Sequence, residues 1–335
     1  MELVTGGAGF IGSHLVDALV ERGLKVRVLD NYSSGKESFL AQHSSSEMVE
    51  IVKGDLLDSE VVISAMEGVA TVHHLAANPD IRLGTEVTNT DLEQGTIATY
   101  NVLEAMRLSG VGRISFSSTS AVYGEAGQMP TPETYGPIMP ISLYGASKLA
   151  SEALITAWVG TFGAQGFIHR FANIVGPRGT HGVIFDFIHK LKSDPTRLEV
   201  LGDGKQEKSY MSAEDCVRSM IHIMDIDEGG ANMYNLGTGD TCSVSRIAEI
   251  VVEESGLDDV PIEYTGGSRG WAGDVPKTYL DVSKLLQTGF EPTAASERAI
   301  RETAKALIGE IGLLLLAPVD NPRSGRSGMS KRWYQ

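Results

Sequence analysis

Short β-branched runs alternate with longer amphipathic stretches through the first half of the chain. Runs with the length and composition of strands occupy residues 2–5, 25–29, 49–53, 71–75, 113–117 and 166–170. Apolar residues recur with a helical period over residues 11–21, 59–66, 92–108 and 143–162. Strands that alternate with helices in this way predict an α/β protein with a doubly wound parallel sheet.

The pattern changes after residue 176, where glycine and proline become frequent and the elements become shorter. Helical periodicity returns at residues 183–191, 213–224, 244–254 and 294–307. We therefore predict a first domain over residues 1–176, with its sheet completed by segments within 205–240, and a smaller C-terminal α/β substrate lobe over 177–318. Residues 319–335 show no period and mix small polar with basic residues, so we expect a loose tail, with a basic docking segment as the alternative.

The composition and charge of the chain disfavour some classes of binding partner. The 335 residues carry a formal net charge of -15, whereas proteins that bind duplexes or membrane surfaces usually present a basic face. The N-terminus has no signal-peptide pattern, and the apolar run over residues 311–318 is too short to span a bilayer. Cys216 and Cys242 are far apart in sequence and form no metal-binding motif. We expect a cytoplasmic protein without a nucleic acid, membrane or metal partner.

A glycine-rich turn, Thr5-Gly-Gly-Ala-Gly-Phe-Ile-Gly12, joins the first predicted strand to the first predicted helix. Gly6 permits the tight turn, Gly9 lets backbone amides approach a pyrophosphate, and Gly12 lets the helix pack closely on the sheet. The spacing is GxxGxxG rather than GxGxxG, but its position between strand and helix favours a dinucleotide site of the Rossmann fold.

Asp30 ends the second predicted strand, where a carboxylate can accept hydrogen bonds from the adenosine ribose hydroxyls. The same carboxylate would repel a 2'-phosphate, so NAD is favoured over NADP. After the third predicted strand, Asp55 and Leu56 are expected to cover the adenine ring. After the fourth, Leu75, Ala76 and Ala77 are small enough to let the cofactor lie across the edge of the sheet. The further predicted cofactor-binding residues are Phe10, Ile11, Asn31, Leu75, Ala76, Ala77 and Ser117.

Tyr144 and Lys148 lie four residues apart and hence on one face of a predicted helix. A lysine near the phenol, together with a positively charged nicotinamide, would lower the pKa of Tyr144 and make it a general base. The same spacing occurs at Tyr32 and Lys36, in a Ser/Gly loop after the second strand, and we interpret that match as accidental.

A run of hydroxyl residues ends the fifth predicted strand and reaches the same sheet edge. We expect Thr119 to share the substrate oxygen with Tyr144, and Ser118 and Ser120 are the alternatives. The three side chains Thr119, Tyr144 and Lys148 form the predicted catalytic set.

The glycine loop, the Ser-Ser-Thr-Ser-Ala-Val-Tyr-Gly run from Ser117 and the Tyr-x-x-x-Lys motif together resemble the extended short-chain dehydrogenase/reductase family of NAD-dependent epimerases and dehydratases. The resemblance covers about residues 1–310. Within the family the chain looks like the UDP-glucose (UDP-galactose) 4-epimerases of compact archaeal type. The resemblance places the family's catalytic hydroxyl, base and lysine on Thr119, Tyr144 and Lys148.

The resemblance also implies substrate-binding residues beyond the sixth strand. Asn173 matches an asparagine that binds the sugar-linked diphosphate. The Gly-Asp-Gly-x-Gln-x-Arg signature appears at residues 202–208 with Lys208 as its cation, which cannot bind in the bidentate way of arginine. A later Arg-x-Gly-Asp signature appears as Arg269 and Asp274 with extra residues between them. Gly95 stands where the family often has a cofactor-side asparagine.

The reaction that the resemblance implies is the reversible C4 epimerisation of a UDP-hexose, UDP-galactose or UDP-glucose, through a transient 4-keto sugar and tightly bound NAD. Family members commonly pair two helices with their copies, so we expect a homodimer through residues 92–108 and 143–162. Epimerases of UDP-glucuronate or UDP-N-acetylhexosamine stay open, because the family's pocket-gating position falls on the small Thr278.

Other activities are less favoured. A sugar-nucleotide 4,6-dehydratase needs an acid and a base directly after Thr119, where this chain has Ser120 and Ala121. A UDP-glucuronate decarboxylase usually has glutamate at the position of Ala121. A non-catalytic nucleotide-binding protein would not need Thr119, Tyr144 and Lys148 in register.

Overall fold

The computed structural model describes residues 1–226, 229–257, 259–270 and 273–312. The predicted tail over 319–335, and residues 313–318 of the predicted lobe, lie outside the described residues. In chain order the first elements are β1 (Glu2–Thr5), α1 (Phe10–Glu21), β2 (Val26–Asp30), β3 (Val49–Lys53), α2 (Ser59–Ala65), β4 (Thr71–His74), α3 (Ala98–Ser109), β5 (Arg113–Thr119), α4 (Leu143–Phe162) and β6 (Gln165–Phe171).

The later elements are shorter. They are β7 (Asn173–Val175), α5 (Val183–Ser193), β8 (Leu198–Val200), β9 (Glu207–Lys208), β10 (Tyr210–Ser212), α6 (Ala213–Ile226), β11 (Ala231–Leu236), β12 (Cys242–Ser243), α7 (Val244–Ser255), β13 (Ile262–Tyr264), β14 (Lys277–Thr278), α8 (Ser283–Gln287) and α9 (Ser296–Ile311).

The described residues form a seven-stranded sheet in the order β11-β6-β5-β4-β1-β2-β3. All neighbouring strands in it pair in parallel. The chain proceeds outward from β1 through β2 to β3 and then crosses to β4 on the other side of β1. Ligands bind at such a reversal, beyond the carboxyl ends of the strands. The predicted doubly wound α/β fold is confirmed.

Apolar residues cover both faces of the sheet. On one face Leu15 and Leu19 of α1 pack with Met220 and Ile223 of α6. On the other face a cluster from α2, α3 and α4 packs on β1 and β5. Burial of each large aliphatic side chain contributes about 1.5–3 kcal/mol, so these two layers fix the sheet and its carboxyl edge.

The C-terminal lobe has its own apolar cluster, which α5, α7 and α9 form around β8. Ile188, Ile247, Val251 and Leu307 are among its buried members. Short strand pairs join segments that are far apart in the sequence, including β7 with β10 and β9 with β14. No helix in the described ranges is long and apolar enough to span a bilayer.

The prediction of a continuous α-helix over residues 92–108 is wrong for residues 92–97. Leu92–Ile97 forms a π-helical turn, and the α-helix starts only at Ala98. Gly95 lies in this turn, where an added Cβ would be 2.6 Å from the Ser147 hydroxyl oxygen. The close approach of α4 therefore requires glycine, and packing against α4 outweighs the helical pattern of the sequence.

Candidate active site

A cleft of about 940 Å³ opens at the carboxyl edge of the sheet. Its walls include the glycine loop, the ends of β2, β4 and β5, the start of α4, and residues of the C-terminal lobe. A cleft at this position, between an α/β sheet and a second lobe, is where such folds bind nucleotides.

The glycine loop has the backbone geometry of a phosphate cradle. Gly6 has a φ of 70°, in the left-handed region that favours glycine. A Cβ at Gly12 would lie 2.1 Å from the Gly6 carbonyl oxygen, so only glycine allows helix and loop to approach this closely. Gly9 precedes α1 without a side-chain cap. The first-turn amides of α1 are thus left to bind an anion such as a pyrophosphate.

Asp30 stands beside this loop at the end of β2. Its Oδ2 accepts from the Ala8 amide at 2.9 Å, and its Oδ1 accepts from the Tyr32 amide at 2.8 Å. These bonds fix the carboxylate at the cleft wall, where its remaining lone pairs face the ligand space. The position suits the adenosine ribose, and the glycine cradle with this acid fits NAD as cofactor.

Asp55 does not line the cleft as the sequence led us to expect. Its Oδ2 accepts from Asn31 Nδ2 at 2.8 Å and its Oδ1 accepts from the Leu57 amide at 2.9 Å. The carboxylate therefore ties β2 to β3, while Leu56 is the residue of this pair in the wall. The other predicted cofactor-side residues that line the cleft are Phe10, Ile11, Asn31, Leu75, Ala76, Ala77 and Ser117.

The three predicted catalytic side chains come together at the cleft. Ser142 caps α4 by accepting from the Gly145 amide at 3.0 Å, which places Tyr144 in the first turn. Lys148 follows one turn later, and its Nζ donates to the Ser117 carbonyl at 2.7 Å. Thr119, at the end of β5, lies against the same wall and its Oγ1 accepts from the Ala121 amide.

Burial dominates the ionisation of this pair. It raises the pKa of Tyr144 to about 12, with a further rise from the charge of Asp91, while a hydrogen bond with Thr119 lowers that pKa. Burial also lowers the pKa of Lys148 to about 7, against the carboxylates of Glu152 and Asp91, which raise it. Lys148 alone therefore does not make Tyr144 a base. The lowered phenol pKa expected from the sequence depends on a positive charge in the cleft.

The substrate-side residues are only partly in the cleft. Asn173, Lys208 and Asp274 line it, and Lys208 Nζ lies 2.7 Å from Asp274 Oδ1. Arg269 does not line it: its Nη1 donates to the Asp274 carbonyl at 2.7 Å and its Nη2 pairs with Glu125. Arg269 therefore holds the backbone of Asp274 rather than facing the cleft.

Sequence reasoning missed the segment after β4. Asn78 and Arg82 line the cleft, as does Gln94 in the π-helical turn. The available signal was positional, because polar residues directly follow a strand whose carboxyl end was already assigned to the cofactor. No group of three or more potential metal ligands occurs in the part of the chain that the structure describes.

The chain is similar to known proteins over most of its length. The model of the NAD dependent epimerase/dehydratase family matches residues 2–237. The putative UDP-glucose 4-epimerase of Methanocaldococcus jannaschii is 32% identical over 307 residues, covering 90% of this chain and 96% of its own. A crystal structure of UDP-galactose 4-epimerase matches with a TM-score of 0.82 at 40% identity, covering 92% of this chain and 99% of its own.

The chain is also similar to a protein that is named for a different activity. The UDP-N-acetyl-alpha-D-glucosaminuronate decarboxylase of Bacillus cytotoxicus is 32% identical over 318 residues, covering 90% of this chain and 95% of its own. Overall identity alone therefore does not separate epimerisation from decarboxylation, and the side chains at the cleft have to decide.

Proposed function

The chain belongs to the NAD dependent epimerase/dehydratase family, and we propose that within this family it catalyses the reversible C4 epimerisation of a UDP-hexose, UDP-galactose or UDP-glucose. Family membership confirms the predicted resemblance and the predicted cofactor, NAD. The proposal concerns the substrate and the reaction.

The observation that carries the proposal is the convergence of Thr119, Tyr144 and Lys148 on the cleft that the glycine loop and Asp30 also line. A hydroxyl, a phenol and an ammonium at one wall are the groups needed to move one proton at a sugar oxygen. Bound NAD supplies the complementary chemistry, the reversible exchange of a hydride with C4 of the sugar.

In the proposed reaction Tyr144 takes the proton of the 4'-hydroxyl, whose oxygen becomes the carbonyl of a transient 4-keto sugar. Thr119 holds the same oxygen by a hydrogen bond, and the Lys148 ammonium stabilises the phenolate form of Tyr144 before proton transfer. After the keto sugar turns over, Tyr144 gives the proton back to the 4'-oxygen. NAD would accept the hydride of C4' and give it back, so protons and electrons balance and no net oxidation occurs.

Epimerisation requires a tightly held nucleotide and a loosely held sugar. Asn173 and Lys208 offer an amide and a cation for the diphosphate, and Asp274 offers a carboxylate for ribose hydroxyls. Lys208 and Asp274 pair with each other. We expect the diphosphate to compete with Asp274 for Lys208.

The residues after Thr119 favour epimerisation over elimination or decarboxylation. Ser120 and Ala121 line the cleft next to Thr119 and offer neither a carboxylate nor an imidazole. Removal of water from C5 and C6 needs such an acid and base. The second candidate function is epimerisation of a UDP-N-acetylhexosamine, which the small Thr278 in the cleft wall favours because it leaves room for a bulky C2 substituent; UDP-glucuronate stays an alternative substrate.

The test is incubation of the purified protein with UDP-galactose, without added cofactor, and detection of UDP-glucose. UDP-N-acetylgalactosamine and UDP-galacturonate in parallel reactions distinguish the second candidate, and mass spectrometry of the products detects loss of water or carbon dioxide. Absence of any C4 epimer from protein that demonstrably contains NAD would refute the proposal.

Tyr144→Phe should lower turnover by about 10²–10⁴-fold and leave NAD content unchanged, because only the proton-transferring oxygen is removed. Tyr32→Phe is the matched control, since Tyr32 belongs to the second Tyr-x-x-x-Lys sequence and does not line the cleft. Equal losses in both variants would show that the effect is not one of catalysis at Tyr144.

A further inference from the structure

Asp91 is a buried carboxylate with an unusual set of neighbours. It precedes the π-helical turn Leu92–Ile97, and its side chain is only 2% exposed. Its Oδ1 accepts from Asn78 Nδ2 at 3.1 Å. Its Oδ2 is buried and accepts no hydrogen bond from any described residue. A buried carboxylate that is only half satisfied is costly, so its retention calls for a compensating charge nearby.

The surroundings hold this carboxylate in one place. Asn78 is itself fixed, because its Nδ2 also donates to the Asp80 carbonyl at 2.8 Å. Gly84 covers the free oxygen, and a Cβ there would lie 2.5 Å from Asp91 Oδ2. The same Cβ would lie 3.6 Å from Leu143, the residue before Tyr144. The carboxylate is thus lodged between the segment after β4 and the first turn of α4.

The charged and titratable groups that face Asp91 come from two elements. The segment after β4 contributes Asp80, whose negative charge opposes that of Asp91, and α4 contributes Lys148 and Tyr144. Lys148 is the cation among them. Burial raises the pKa of Asp91, while the Asn78 hydrogen bond and the Lys148 charge lower it. Asp91 and Lys148 therefore stabilise each other's charged forms.

Glu152 is the other carboxylate that acts on Lys148, but it already has a cation of its own. Arg170 Nε and Nη2 donate to Glu152 Oε1 and Oε2 at 2.9 and 2.6 Å. This bidentate pair is close to neutral as a unit. Both carboxylates act on Lys148, Glu152 the more strongly. Asp91 has no such guanidinium partner among the described residues, and its charge also raises the pKa of Tyr144.

We propose that Asp91 is a positioning residue for the Tyr144–Lys148 pair: its buried carboxylate, lodged between the segment after β4 and the first turn of α4, holds a negative charge near the Tyr144 phenol. The phenol then becomes a base only when a positively charged ring enters the cleft and offsets this charge. The inference rests on the proposed role of Tyr144 as the base. It explains why an anion is held next to a phenol that must lose its proton.

The test is a titration of Tyr144 by NMR in NAD-loaded protein that carries [ζ-¹³C]tyrosine. Tyr144→Phe identifies the resonance by its disappearance. Removal of a negative charge makes a neighbouring proton easier to lose. In Asp91→Asn, which keeps an oxygen for Asn78, the midpoint should fall by about half a pH unit or more relative to the unchanged protein.

Glu93→Gln is the matched control, because Glu93 makes the same carboxylate-to-amide change in the same turn at an exposed position. Asp91→Ser serves as a second variant if the amide disturbs folding. A Tyr144 midpoint in Asp91→Asn that equals the midpoint in Glu93→Gln, or lies above it, would overturn the proposal. So would a phenol that remains protonated to about pH 10 in all of these proteins, because Asp91 would then control no ionisation in the working range.

The titration requires no turnover, so its outcome is independent of the sugar that the enzyme accepts. If UDP-galactose is not epimerised but the Tyr144 midpoint falls as expected, the proposed function fails and the role of Asp91 stands. If epimerisation occurs, the acidic limb of the kcat/KM profile should move to lower pH in Asp91→Asn but not in Glu93→Gln.

Discussion

Arg170→Met should destabilise the protein strongly, because it removes the cation of a buried ion pair behind the active site. Arg170 and Glu152 are 2% and 3% exposed, and they share two hydrogen bonds. The guanidinium also lies 4.7 Å from the centre of the Tyr123 ring. Ser118, next to Thr119, donates to the same carboxylate.

The substitution leaves the buried Glu152 carboxylate without its hydrogen-bonded cation, for which we expect a loss of about 3–5 kcal/mol in the free energy of unfolding. For a chain of this size the urea dependence is about 3 kcal/mol/M, so the midpoint should fall by roughly 1–1.7 M. Urea titration followed by circular dichroism measures this directly.

Two further variants isolate the cause. The double variant Arg170→Met, Glu152→Met should recover much of the lost stability, because it removes the uncompensated charge as well. Arg298→Ala breaks an ion pair whose partners are 66% and 56% exposed and should leave the midpoint unchanged. A midpoint for Arg170→Met that matches Arg298→Ala, or a double variant no more stable than the single one, would refute the reasoning.

Three further outcomes are expected. Gly12→Ala should abolish NAD retention, measured by absorbance of the denatured supernatant, because its Cβ would lie 2.1 Å from the Gly6 oxygen; retention of NAD would show that the loop can widen. Burial lowers the pKa of Lys148 to about 7. Below that pH the buried ammonium lowers the free energy of unfolding, and this loss shrinks as the pH rises toward the pKa of lysine in the unfolded chain. The urea midpoint of NAD-free Lys148→Met should accordingly exceed that of the unchanged protein most at about pH 6 and converge with it only near the unfolded pKa, at about pH 10, and a constant difference would contradict the assignment. The predicted homodimer should use exposed apolar residues of α3 and α4, among them Tyr100, Leu108 and Phe162; Tyr100→Asp should then halve the mass found by light scattering, and an unchanged mass would place any interface elsewhere.

The fold was predictable because its strands and helices have strong local patterns. The glycine loop and Asp30 were predictable because each lies at a strand end, and the Tyr144–Lys148 pair was predictable because its four-residue spacing places both side chains on one face of α4. The parallel sheet then brings these strand ends together at one edge.

What the sequence did not reveal depends on contacts between distant segments. Asp91 and Asn78 pair only because the π-helical turn folds back on the segment after β4. Arg269 turns toward Glu125, and Asp55 turns toward Asn31, because those partners are near in space rather than in sequence. No periodicity of the sequence predicts such pairings. The ligand contacts expected for Asp55 and Arg269 rested on a position after a strand and on a family signature, respectively.

The central claim is that C4 of the sugar keeps its own hydrogen, because bound NAD would return to C4 the hydride that it took, while Tyr144 moves only the proton of the 4'-oxygen. UDP-[4-²H]galactose, incubated with the purified protein without added cofactor, tests this most directly by ²H NMR. The account predicts UDP-glucose that retains deuterium at C4. Product that carries solvent hydrogen at C4, or no C4 epimer from protein shown to contain NAD, would contradict it.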